Sequence, residues 1–123
     1  MLTFEEAQMA VDELIDELPP EIFKELNCGV SVVPDTLYDS NGLLILGHYH
    51  VQPRGLGRYV TIYYGSIVLA HGHLSPDRFR DKLKYVLHHE LTHHLESLAG
   101  DRSLEIEDEK NVRRLLRRKF GRL

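Results

Sequence analysis

A chain of 123 residues, 42% hydrophobic and 28% charged, has room for one domain with a real core and little space for a second module. Its net charge of -4 and pI near 6.0 give no general case for a nucleic-acid partner. Its single cysteine, Cys28, excludes an intramolecular disulfide and suits a reducing compartment. No apolar run approaches the roughly 20 residues that span a bilayer, and Met1 to Glu6 lacks the basic-then-apolar pattern of a signal peptide. The expectation is a cytoplasmic protein with one domain over 1–123.

Thr3 followed by Glu6 reads as a capping box. Phe4, Ala7, Val11, Leu14, Ile15 and Leu18 then recur at helical spacing until Pro19-Pro20 stops the helix. Glu21 to Leu26 has room for a further turn before Asn27-Cys28-Gly29. Val30 to Val33 is β-branched and closed by Pro34, which predicts a strand. Thr36 to Gly42 reads as loop, Leu43 to Val51 as a second strand and Gln52 to Gly57 as a connection. Arg58 to Tyr64 alternates with the period of a half-buried strand. Ser66 to Leu74 fits either a short element or a loop.

Ser75-Pro76 is a strong helix start, a capping hydroxyl before proline. Phe79, Leu83, Val86, Leu87, Leu91, Leu95 and Leu98 keep helical spacing up to Gly100, a natural stop. A last helix is expected over Ser103 to Phe120, acidic at its start and basic at its end, which complements the helix dipole.

The long helix carries His89-Glu90-Leu91-Thr92-His93. Two histidines four apart share one helical face, so both imidazoles can reach a single Zn²⁺. Glu90, beside the first, is placed to take the proton of a water on the metal as that water attacks a carbonyl. A site of this kind needs a third protein ligand and an open position. The metzincin spacing fails, because Glu96 and Ala99 stand where its glycine and third ligand belong. The helix runs on past His93 by about 10 Å at 1.5 Å per residue, and an antiparallel helix running back would bring Asp108 level with the metal. Asp108 also shares the stripe of Leu104, Val112, Leu115 and Leu116, where a carboxylate is costly unless paired or metal-bound. Asp108 is therefore the first candidate third ligand, Glu105 the second and Asp101 the third.

The chain resembles the small bacterial zincin-like metallopeptidases. The matching pieces are Phe4-Glu5-Glu6, Leu46-Gly47-His48-Tyr49, Arg58 to Tyr64 and His89 to His94, in that order over nearly the whole chain. Many relatives follow the motif with Gly-x-x-Asp, whereas this chain has Leu95 to Asp101 and then Leu104 to Asp108. The resemblance implies an α+β minimal zincin, with an N-terminal helix, a sheet of about three strands, the long motif helix and a C-terminal helix. It also implies Zn²⁺ as cofactor and a peptide or protein as substrate.

Plainer readings stand beside these. His88 and His94 point away from the ligand face and fit surface or packing roles. The pairs His48/His50 and His71/His73 have the i, i+2 spacing that shares a strand face, yet no cysteine or carboxylate clusters with them, and a polar sheet face near the cleft is their commoner meaning. Tyr49, Tyr63 and Tyr64 are mostly sheet or core residues, though a tyrosine hydroxyl can stabilise an oxyanion. Taken as an edge strand, Arg58 to Tyr64 would bind an extended peptide by strand addition. The basic positions 110, 113, 114, 117, 118, 119 and 122 read as a solvated helix face; the absence of stacking aromatics there argues against nucleic acid. Besides a peptidase, a zinc-binding interaction module without turnover and a nucleic-acid-binding protein remain open.

Overall fold

The structure, a computed structural model, describes residues 1–53 and 57–101, the last of these by its backbone only. Those residues form an α+β fold of three helices, a three-stranded mixed sheet and a separate two-stranded sheet. The elements are α1 (Phe4–Asp16), a 3₁₀ turn (Pro20–Phe23), β1 (Val30–Val33), β2 (Leu37–Tyr38), β3 (Leu44–Ile45), β4 (Gly47–Val51), β5 (Arg58–Tyr63), α2 (Tyr64–His71) and α3 (Pro76–Asp101). Arg54 to Leu56, the expected last helix, Glu105 and Asp108 lie outside the described residues, as do the basic positions from 110 onward. Among the described residues no helix is long and apolar enough to cross a membrane.

Local chemistry accounts for most boundaries. The Thr3 hydroxyl accepts from the Glu6 amide at 3.1 Å while the Glu6 carboxylate accepts from the Thr3 amide at 2.9 Å, closing the capping box of α1. This pairing holds the Glu6 carboxyl below its usual range. Gly29, at φ +74°, turns the chain into β1 in a conformation that side chains rarely adopt.

Two expectations are corrected, and a stretch left open between short element and loop is resolved. The stretch from Leu43 to Val51 is not one strand: β3 pairs antiparallel with β2 inside the expected loop, and β4 pairs with β5. Tyr64 to His71 is helical, opened by Tyr64, whose hydroxyl donates to the Leu2 carbonyl at 2.6 Å. Gly100 does not stop α3, which continues through it to Asp101.

The strand order is β1-β5-β4, with β5 parallel to β1 and antiparallel to β4. β5 is therefore central, both its edges are already paired, and it cannot accept a peptide as the sequence reading supposed. Alternation puts Val60 and Ile62 of β5 inside, fully buried against α3 and α1. All seven apolar positions expected on the inner face of α3, from Phe79 to Leu98, are buried. Ala7, Val11 and Leu14 from α1 complete this core, which lies to one side of the sheet.

His88 is packed on this helix at 2% exposure, and burial pushes its pKa down to about 4. The fold thus holds a neutral imidazole, whereas the unfolded chain protonates it near pH 6.5. Below that value the unfolded state binds more protons, so stability present above pH 6.5 is lost as pH falls towards 4. Urea unfolding across this window should show that loss, and His88→Gln should flatten it. An unchanged slope in the variant would contradict the assignment.

Candidate functional site

His89, Glu90 and His93 stand where α3 passes beneath β4. The i, i+4 spacing brings the Nε2 atoms of His89 and His93 to 3.1 Å from each other, with the rings edge to face at a centroid distance of 4.6 Å. Both histidines are exposed. Two nitrogens bound to one zinc at about 2.0–2.1 Å in tetrahedral geometry lie about 3.3 Å apart, so this pair is already near the spacing that such an ion needs. Tyr85, one turn earlier, lies nearly parallel to His89 at a centroid distance of 6.0 Å. Glu90 falls between the histidines in sequence but is only 7% exposed, turned towards the sheet.

What faces Glu90 is Gly47, at the start of β4. A Cβ built on Gly47 would lie 2.6 Å from Cγ1 of Val86, 3.2 Å from Cγ of Glu90 and 3.4 Å from its Oε2. Only a residue without a side chain lets the strand come this close to the helix. The cleft that results is lined by Gly47, His48, Tyr49 and Val51 from β4 and by His89, Glu90, His93 and Ser97 from α3. A second groove, between α1 and β1, is lined by residues such as Glu5, Met9, Asp12 and Ser31 and carries no histidine or cysteine. Of these two grooves, only the cleft is lined by histidines.

Behind the cleft lies a buried polar chain that the sequence reading missed. Arg58, 6% exposed, donates through Nη1 to the Tyr49 hydroxyl at 2.8 Å and to the Ser97 hydroxyl at 2.7 Å. Nδ1 of His94 lies 2.8 Å from the same tyrosine hydroxyl, and its Nε2 lies 2.8 Å from the Lys24 carbonyl oxygen. A carbonyl only accepts, so Nε2 carries the proton and Nδ1 offers a lone pair. The Tyr49 proton is therefore committed to His94, while its oxygen accepts from Arg58. Burial lowers the His94 pKa, outweighing the opposing pull of the Lys24 carbonyl, and the nearby Arg58 charge adds to the lowering, which favours the neutral ring of this pattern. Tyr49 is thus a structural link between β4 and α3 instead of a spare oxyanion donor. The available signal for Arg58 was its place on the inner face of an alternating strand, where an arginine needs buried partners.

Of the expected residues, His89, Glu90 and His93 are brought together. His88 and His94 are both buried packing residues. Among the described residues no third histidine, cysteine, aspartate or glutamate joins the pair. Asp108 and Glu105 lie outside the described residues, as does the side chain of Asp101. Tyr63 and Tyr64 are sheet and core residues, Tyr64 packing on Phe4 and Phe79.

Two substitutions test this arrangement. Gly47→Ala should lose about 1–3 kcal/mol in urea unfolding, and adding Val86→Ala should recover part of that loss by removing the nearest methyl; strict additivity would reject the close contact. Tyr49→Phe should cost about 1–3 kcal/mol by leaving the His94 lone pair and an Arg58 donor without their shared hydroxyl. A neutral result would mean that this hydroxyl does not join the strand to the helix.

No family model matches the chain, and neither does any curated protein. Among solved structures it is similar to a conserved hypothetical protein from Thermo thermophilus, at 32% identity and a TM-score of 0.69. The match covers 81% of this chain and 100% of that one. The chain belongs to the same family as that conserved hypothetical protein.

Proposed function

We propose that this protein is a zinc-dependent metallopeptidase of the minimal zincin type. The observation that carries the reading is the pair of Nε2 atoms 3.1 Å apart on an exposed helix face, with the buried Glu90 carboxylate one residue away in the same cleft. His89 and His93 would hold Zn²⁺, with Asp108 or Glu105 as the third protein ligand. Such an ion lowers the pKa of water and polarises a carbonyl. Glu90 takes the proton of the attacking water and passes it to the leaving amine. Its position against Gly47 fixes the carboxylate at the floor of the cleft instead of leaving it free to sample solvent.

The sheet offers the substrate a place. Among the described residues β4 is an edge strand beside the cleft, and its outer edge can hydrogen-bond an extended peptide by strand addition. That role moves from the Arg58–Tyr63 strand, which is central, to Gly47–Val51.

Zinc analysis tests the metal and the acid together. Wild type should hold about one tightly bound zinc per chain, His89→Ala and His93→Ala should lose it, and one of Asp108→Ala and Glu105→Ala should lose it too. Glu90→Gln should keep the zinc and abolish cleavage of an unstructured peptide library. Zinc binding with no cleavage by wild type would favour an interaction module. A wild type that binds no zinc in the cleft would end the hydrolase reading.

A further inference from the structure

β4 has a second face. Gly47 and Tyr49 meet α3, so His48 and His50 alternate to the other side of the sheet, where Thr61 and Tyr59 stand opposite them in register. The His48 and His50 rings are 4.1 Å apart, and His50 is stacked on Tyr59 at 4.3 Å with 16° between the planes. Nε2 of His50 is shielded from water and has no hydrogen-bond partner among the described residues. His48 is exposed.

Such an arrangement lacks a ligand of one chemical kind. A shielded imidazole nitrogen without a partner carries an uncompensated desolvation cost. A neighbouring imidazole, held within reach on the same strand face, supplies a second lone pair. Burial, with the adjacent His48 adding to it, lowers the pKa of His50 and so favours the neutral ring that a metal requires. The Tyr59 stack holds the His50 ring in place, with the exposed His48 ring 4.1 Å away on the same strand face.

We propose that His48 and His50 form a second metal site, separate from His89 and His93, that takes one divalent transition ion with a preference for imidazole, such as Ni²⁺ or Zn²⁺. Among the described residues no third histidine, cysteine or carboxylate joins the pair, and two imidazoles alone would bind the ion more weakly than a three-ligand site. The site does not rest on the peptidase reading. Because His48 also borders the cleft, the ion would sit at the cleft's rim.

Calorimetric titration of the full chain with Ni²⁺ alone, and separately with Zn²⁺ alone, tests this. The expected result is two binding events in wild type, one tight and one weaker. His50→Ala, away from the cleft lining, should weaken the second event by about tenfold or more while preserving the first, and His48→Ala should weaken the second event likewise. His93→Ala should do the reverse, and His73→Ala should change neither. A wild type whose single event is weak and vanishes with His48→Ala would uphold this site while sinking the peptidase reading. Unchanged weak binding in both His48→Ala and His50→Ala, or loss of all binding in His93→Ala, would overturn the proposal.

Discussion

The contact between Gly47 and α3 governs the geometry of the whole site. A strand normally stands off a helix by the length of its side chains, but here the backbone of β4 lies within van der Waals reach of Val86 and Glu90. Three things follow from that one approach. Glu90 is shielded from solvent though its neighbours His89 and His93 are exposed. The cleft becomes narrow enough for strand and helix to line it jointly. Tyr49, two residues on and on the same face, reaches His94 on the next part of the helix.

The approach is held by polar as well as apolar contacts. Val60, Ile62, Val86, Leu87 and Leu91 bury the apolar side of the junction. The Arg58–Tyr49–His94–Lys24 chain then ties β5, β4, α3 and the segment after the 3₁₀ turn together at one point. Hydrophobic burial alone is nondirectional and tolerates small slides of helix against strand. A chain whose donors and acceptors have only one satisfactory order does not, because displacement strands a buried polar group. The histidine pair is therefore built on a helix whose position is specified from below.

β4 divides its labour by face and by edge. One face supplies the glycine and tyrosine that seat the motif helix, the other carries the His48–His50–Tyr59 stack, and the strand, at the sheet's edge among the described residues, lines the cleft. The period of two that governs any strand explains why neighbouring residues in this short segment serve such different ends.

The amino-acid sequence by itself determined the elements whose signals are local. The capping box at Thr3 and Glu6, the Ser75-Pro76 start and the leucine stripe of α3 depend on a few bonds along the chain, and each is found where it was read, whereas α1 ends at Asp16, ahead of the expected stop at Pro19. The convergence of His89 and His93 was legible for the same reason, since helical spacing alone brings them together. What only the tertiary structure decided depends on partners distant in sequence. The break of Leu43 to Val51 into β3 and β4 depends on which strand each half pairs with. The central place of β5 depends on β1 returning beside it from thirty positions earlier in register, Val30 against Val60. The role of Gly47 depends on Val86 and Glu90, and the burial of Arg58 depends on Tyr49 and Ser97. Periodicity states which side of a strand is apolar, but it carries no record of what will be packed against that side.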